Sequence, residues 1–149
     1  MEIASAGVHG FVDHPVEDEM GAQLAARGVD GGDFRSRRLT MRMVDGADLV
    51  LTAELSHRSF ILDDRPAAFR KVFTLGQFET VLAGVPHDLT GRDLLSAAGA
   101  GLKPARREDD VPDPYRRGAE AAAAAAEHLD RILAPALPRL VRAAPGDVR

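Results

Sequence analysis

Apolar residues along this chain fall alternately into compact runs and helical stripes. Glu2-Ile3-Ala4-Ser5-Ala6-Gly7 reads as a short strand running into a glycine turn. Val16, Met20 and Leu24 then recur every four residues, beside Pro15 and the acidic Glu17, Asp18 and Glu19. That spacing predicts a helix with Pro15 in its first turn and Gly28 at its end. Past the polar Gly31-Gly32-Asp33, Thr40 is a candidate cap for a short helix leading into Asp48-Leu49-Val50-Leu51-Thr52, a run typical of a buried parallel strand. A helix carrying Leu55, Phe60, Ile61 and Leu62 follows, and Arg65-Pro66 breaks it. Lys71-Val72-Phe73-Thr74-Leu75 reads as another strand, after which Phe78, Val81 and Leu82 resume helical spacing. Thr90-Gly91-Arg92-Asp93 has the form of a capping box opening a further helix through Leu94 and Leu95.

Strands separated by helices imply right-handed crossovers and an α/β fold, a three-layer parallel sheet flanked by helices. Three parallel strands are expected, near Ile3, at Leu49 to Leu51 and at Val72 to Thr74. In such sheets the chemistry lies at the carboxyl ends of the strands, where the connecting loops converge. From Gly118 the chain turns Ala-rich, unbroken over residues 121–126, which predicts a long helix packed on the sheet or presenting an Ala-rich surface. Residues 143–149 carry a Pro-Gly stop and no apolar pattern, so one domain over residues 1–142 and a frayed tail are expected.

The length of 149 residues is enough to bury a conventional core, and 45% hydrophobic with 28% charged residues is ordinary for a globular domain. There is no cysteine. Disulfides, thiolate metal sites and a cysteine nucleophile are therefore excluded within this chain. A net charge of -4 gives no general attraction to nucleic acid or anionic lipid. No apolar run approaches a membrane span and the N-terminus has no signal-peptide form, so the expected location is the cytoplasm.

Local clusters add little. Arg35, Arg37, Arg38 and Arg42 form a basic stretch that suits either a phosphate or a solvated loop. His9 and His14 lie near Asp13 and Glu17, but their spacing matches no strong metal motif; neither metal nor cofactor is expected. Gly28, Gly31 and Gly32 lack the strand–loop–helix order of a phosphate fingerprint. His57 either lines a cleft or faces solvent beside Arg58.

Several segments, in this order, carry a resemblance: Ser5-Ala6-Gly7, Arg37-Arg38-Leu39-Thr40, Ala47-Asp48-Leu49-Val50-Leu51-Thr52, His57-Arg58, Phe73-Thr74-Leu75 and Asp110-Val111-Pro112-Asp113-Pro114-Tyr115. From about Ile3 to Leu133 the chain resembles the low-molecular-weight protein-tyrosine phosphatases, especially their bacterial branch. The Asp-Pro-Tyr element before a C-terminal helix is the most specific piece.

The resemblance implies hydrolysis of phosphomonoesters through a cysteinyl-phosphate, on a phosphotyrosine protein or a small aryl phosphate. In that family a Cys-x5-Arg loop after the first strand holds the phosphate and supplies the thiolate. This chain starts at what resembles the second strand, so it is expected to be N-terminally truncated, lacking the first strand and the phosphate-binding loop, and to be inactive as it stands. The other half of the apparatus is present. By motif Asp113 is the general acid that protonates the leaving phenolate, and Tyr115 is the aromatic wall of the cleft. Taken without the resemblance, Asp113-Pro114 is a turn initiator and Asp110 a loop cap or a solvated side chain. Phe34 stands where many members have a bracing histidine, Val8 where a threonine is usual, and Arg116 where a second aromatic is often found. Arg116 suits an anionic or peptide-like substrate, or is simply exposed.

Two alternatives stand beside the truncated phosphatase. One is a non-catalytic remnant that binds a partner or a phosphorylated ligand through the Arg35 to Arg42 stretch and the Asp113 loop. The other is arsenate-reductase-related chemistry, which also needs cysteines and is disfavoured by the Asp113–Tyr115 pair.

Overall fold

The computed structural model describes residues 1–141. The boundary expected at residue 142 and the tail expected over residues 143–149 lie outside them. Within them the chain runs α1 (Asp18–Ala26), α2 (Met41–Gly46), β1 (Val50–Thr52), α3 (Leu55–Asp64), β2 (Val72–Thr74), α4 (Leu75–Leu82), α5 (Gly91–Ala100) and α6 (Ala119–Val141), with 3-10 turns at Pro66–Arg70 and Arg107–Asp109.

The strands pair in parallel, Val50 opposite Val72, Leu51 opposite Phe73 and Thr52 opposite Thr74. Alternation sends neighbouring side chains to opposite faces. Val72 joins Val44, Ile61 and Ala68 on the α2–α3 side, with Val50 packed against them. Phe73 joins Phe78, Val81, Leu82, Leu94, Ala98 and Ala136 on the side of α4, α5 and α6, with Leu49 and Leu51 against them. The expected α/β architecture, a parallel sheet with helices on both faces, is thus present.

The sheet is narrower than expected. Residues 2–6 form no strand, and only Gly7 makes a bridge, to Arg38, with Gly7 N–H donating to Arg37 O (2.9 Å) and Leu39 N–H to Gly7 O (2.8 Å). The reason is the lack of a neighbour: β1 pairs with β2 alone, so nothing lies alongside residues 2–6 to complete a ladder. Ile3 is left 74% exposed.

Helix boundaries follow local chemistry. α1 begins after Pro15 rather than on it, because the Glu17 carboxylate caps it by accepting from Met20 N–H, and Gly28 takes the positive φ that stops it. Thr40 caps α2 as expected. Thr74 and Gln77 form a full capping box on α4. The box expected at Thr90 does not form: Thr90 precedes α5 in extended conformation without a side-chain cap bond. In α6, Ala122, Ala125 and Ala126 are buried, so the alanine run is a packing face. α1 lies against α6, where Arg27 and Asp130 pair at 2.8 Å on the surface, an ion pair of little energetic weight.

One close approach fixes the loop that precedes α6. A Cβ on Gly76, in the first turn of α4, would lie 2.5 Å from Asp109 O and 2.6 Å from Asp109 Cβ. Gly76→Ala should therefore destabilise the protein by about 1–3 kcal/mol through overpacking. Chemical denaturation checks this, and a midpoint unchanged from the parent would show that Asp109 does not need the close approach.

Candidate active site

The carboxyl ends of β1 and β2 meet beneath the 106–118 loop. Just past β1, Ala53 O accepts the Val111 N–H (2.9 Å), and the N–H of Leu55, first residue of α3, donates to Asp110 Oδ1 (2.7 Å). Glu54, in the N-cap position of α3, makes no side-chain cap bond, so Asp110 performs that task from 55 residues away. Asp110 is thus a cap rather than a solvated side chain. Val111 is buried with Leu75, Ala125 and Ile132, which ties the loop to α4 and α6 as well.

On this anchored base the Asp113 element projects outward. Asp113 is exposed, and its Oδ1 accepts the Tyr115 N–H (3.0 Å), the Asx-turn its sequence signals. Arg117 N–H closes the turn onto Pro114 O (3.0 Å), with Arg116 at φ 57° and Gly118 at φ 89°. The second Asp113 carboxylate oxygen has no hydrogen-bond partner among the described residues.

Tyr115, 41% exposed, stands in an aromatic group. Its ring centroid lies 6.2 Å from that of Phe11, which lies 4.8 Å from that of His14, and the Arg116 guanidinium sits 5.1 Å from the Tyr115 centroid. The side chain of Arg116 therefore lies over the loop's own tyrosine. Phe11 and His14 are additions that sequence reasoning missed. The available signal was a large apolar residue between Gly10 and Asp13, in a loop joining an expected strand to a helix. His9 lies apart from this group, edge-on to Phe60 at 5.7 Å.

Other singled-out residues are used locally. Arg37 Nε donates to Ser5 O (2.8 Å), and Arg35 reaches the Gly32 and Phe34 carbonyls, so the basic stretch braces backbone rather than converging on one point. His57 is half-buried on α3. Beside it, Arg58 Nε donates to Val72 O (2.9 Å), and burial lowers the pKa of this guanidinium. Two surface depressions, one lined by Pro15, Val16, Val29 and neighbours and one by Met41, Phe60, Asp63 and Asp64, include no residue of the Asp113 loop. Geometry at the strand ends, not cavity size, marks the candidate site.

The fold and site define an α/β protein whose Asp113 loop lies over the carboxyl edge of a parallel sheet. No family model matches the chain. It is 26% identical over 121 residues, 81% of its length, to the low molecular weight protein-tyrosine-phosphatase Etp of Escherichia coli K12, and spans 64% of that relative. It is 24% identical over 140 residues, 94% of its length, to the probable low molecular weight protein-tyrosine-phosphatase EpsP of Ralstonia nicotianae, spanning 77% of it. Among solved structures, the YwlE arginine phosphatase of Geobacillus stearothermophilus superposes with a TM-score of 0.70 at 24% identity, covering 93% of this chain and 73% of that one. Over most of its length the chain is thus similar to low-molecular-weight protein-tyrosine phosphatases, and it shares the fold of the solved structures it matches. It contains no cysteine, so these 149 residues cannot form the cysteinyl-phosphate of that chemistry. Among the described residues no helix is long and apolar enough to cross a membrane.

The anchoring predicts a split between neighbouring aspartates. Asp110→Ala should cost about 0.5–2 kcal/mol, the loss of a helix cap, and should speed hydrogen exchange at the Val111 amide. Asp110→Asn, which keeps an acceptor oxygen, should cost much less. Asp113→Asn should leave stability nearly unchanged, since asparagine supports the same turn. Denaturation of the three variants side by side checks this, and equal losses at both positions would contradict the assignment.

Proposed function

We propose that this chain carries the general-acid side of a phosphomonoester hydrolase acting on phosphotyrosine in a protein or on a small aryl phosphate. The observation that carries the reading is the anchoring of the Asp113 loop across the carboxyl ends of both strands, where an α/β sheet presents its chemistry. In the first step a thiolate attacks phosphorus while the P–O bond to the phenol breaks, and protonated Asp113 delivers its proton to the departing oxygen. In the second, the Asp113 carboxylate takes a proton from water as water attacks the cysteinyl-phosphate and the S–P bond breaks, releasing phosphate and restoring the thiolate. A positioned acid of this kind contributes about 10²- to 10⁴-fold.

Tyr115 and Phe11 form the aromatic wall against which a substrate ring stacks, with His14 and the Arg116 guanidinium at its margin. That wall supports an aryl ester as substrate. The thiolate and the phosphate-cradling loop must come from polypeptide outside these 149 residues, because no cysteine lies within them. Cytoplasmic location is the setting that a cysteine-dependent reaction of this kind favours.

Two measurements test the reading. The 149-residue chain should not turn over an aryl phosphate at an enzymatic rate. A protein extended by the coding sequence upstream, if that sequence encodes a Cys-x5-Arg loop, should be active. In the extended protein Asp113→Asn should slow substrates with poor leaving groups about 10²-fold or more while sparing those whose phenolate departs readily. Equal losses on both classes would make Asp113 structural. An upstream sequence without the loop would leave the chain a non-catalytic binder of the same fold.

A further inference from the structure

Among the described residues only two that are not glycine take a positive φ, Asp13 at 63° and Arg116 at 57°, and both stand beside the aromatic group of the candidate site. For Asp13 the cause is local. Aspartate tolerates the left-handed region, and the turn is pinned to Ser36: Asp13 N–H donates to Ser36 O (2.7 Å), Ser36 N–H to His14 O (2.8 Å) and His14 N–H to Ser36 Oγ (3.0 Å). Arg116 has no such account. Its side chain does nothing to ease a left-handed backbone, which glycine takes freely, as Gly118 does two residues on at φ 89°. Its hold on the Tyr115 ring, an exposed cation–π contact at 5.1 Å, gains no more than the strained backbone costs. Packing within the loop therefore does not explain an arginine here. Strain of this kind collects where a ligand is met.

The charge at this position is not spent within the chain. Arg27, Arg65 and Arg106 each have a carboxylate partner, whereas among the described residues none pairs with the exposed Arg116. The acid on the same turn, Asp113, accepts the Tyr115 N–H instead. A guanidinium lying over a ring keeps its N–H donors along its edge, where their fork matches the two oxygens of a carboxylate. Because the ring already holds the side chain, less freedom is lost when a partner binds. Contacts run in a row from Arg116 to Tyr115, then to Phe11 at 6.2 Å and His14 at 4.8 Å, so the cation lies at the margin of the aromatic surface.

We infer that Arg116 selects an acidic polypeptide substrate: the substrate's aromatic ring lies on Tyr115 and Phe11, and the carboxylate of a neighbouring aspartate or glutamate pairs with the Arg116 guanidinium. A small aryl phosphate carries no such group, so the device serves only a tyrosine within an acidic peptide. The chain as a whole has a net charge of -4, so a preference for an anionic peptide cannot come from general attraction and must be local. Arg116 meets what flanks the ring, not the reacting atoms, and sets specificity rather than chemistry. The inference rests on the aromatic wall of the proposed function and narrows its substrate.

The experiment titrates the 149-residue chain with two short peptides built on a central phenylalanine, one flanked by aspartate and glutamate, the other by asparagine and glutamine. Phenylalanine replaces phosphotyrosine so that no phosphate competes for Arg116. NMR shifts of the Phe11 and Tyr115 amides and of Arg116 Nε–H give the affinities. The acidic peptide should bind about threefold to fivefold more tightly, the scale of an exposed ion pair, and salt should shrink the difference. Arg116→Gln should bring the acidic peptide to the affinity of the neutral one. Arg116→Gly should do the same with a denaturation midpoint no lower than the parent's, since glycine suits φ 57°. Shifts at Tyr115 and Phe11 that are equal for the two peptides would overturn this inference alone, whereas no shift with either would overturn the aromatic wall along with it. A preference that survives Arg116→Gln would also overturn it, the cation then lying elsewhere, with Arg117 the nearest in sequence. So would a lower midpoint in Arg116→Gly, which would make the arginine structural.

Discussion

The bond from the Leu55 amide to the Asp110 carboxylate fixes the loop that carries Asp113 and Tyr115 over the end of β1. A helix that follows a strand directly leaves its first N–H groups without partners, and here the local residue, Glu54, does not supply one. The acceptor arrives instead from the loop before α6, together with the Val111 N–H on Ala53 O and the Val111 side chain in the core. Three different interactions thus hold one short stretch against the end of β1. Everything the loop carries beyond that stretch, Asp113 and Tyr115 included, inherits its position from them.

The anchor is possible because α4 lets the loop come close. Gly76 presents no Cβ to Asp109, and the Thr74–Gln77 box keeps the start of α4 rigid where it meets the loop. Below it, Phe73 and Phe78 stack edge to face at 5.4 Å in a core shared by α4, α5 and α6. The Asp113 loop therefore rests beside the buried core, with its polar tip exposed. Anchored support with an exposed carboxylate is what the proposed proton transfer would need, since such transfer depends on position as much as on acidity.

How much of this was legible in the sequence depended on whether a feature was local. The capping of α2 by Thr40, the stop at Gly28 and the break at Arg65-Pro66 are local chemistry, and the structure follows them. The strand at β1 was legible because a compact apolar run needs no distant partner to be recognised. The strand expected near Ile3 fails because strand character is only a capacity, realised when a neighbour supplies the other half of each hydrogen bond. Thr90 fails for a smaller reason of the same kind, its side chain never closing onto the helix it precedes. At the site, the Asp-Pro-Tyr motif marked Asp113 and Tyr115, but Phe11 and His14 enter through a contact spanning some hundred residues of sequence. No local pattern encodes that.

Taken together, the two sides of β1 show different degrees of self-sufficiency. Toward β2 the faces are buried, Arg58 and Gln77 bond Val72 O and Thr74 N–H on its far edge, and the loop over the strand ends is pinned. Away from β2, among the described residues, the backbone of Leu51 has no hydrogen-bond partner and residues 2–7 are bonded through Gly7 and Ser5. The Asp113 loop belongs wholly to the β2 side. Its geometry is set by contacts to Ala53, Leu55, Leu75, Ala125 and Ile132. On the proposed reading, proton delivery and phosphorus attack would be built by separable pieces of the fold, and the piece bearing Asp113 is ordered here by contacts within these residues.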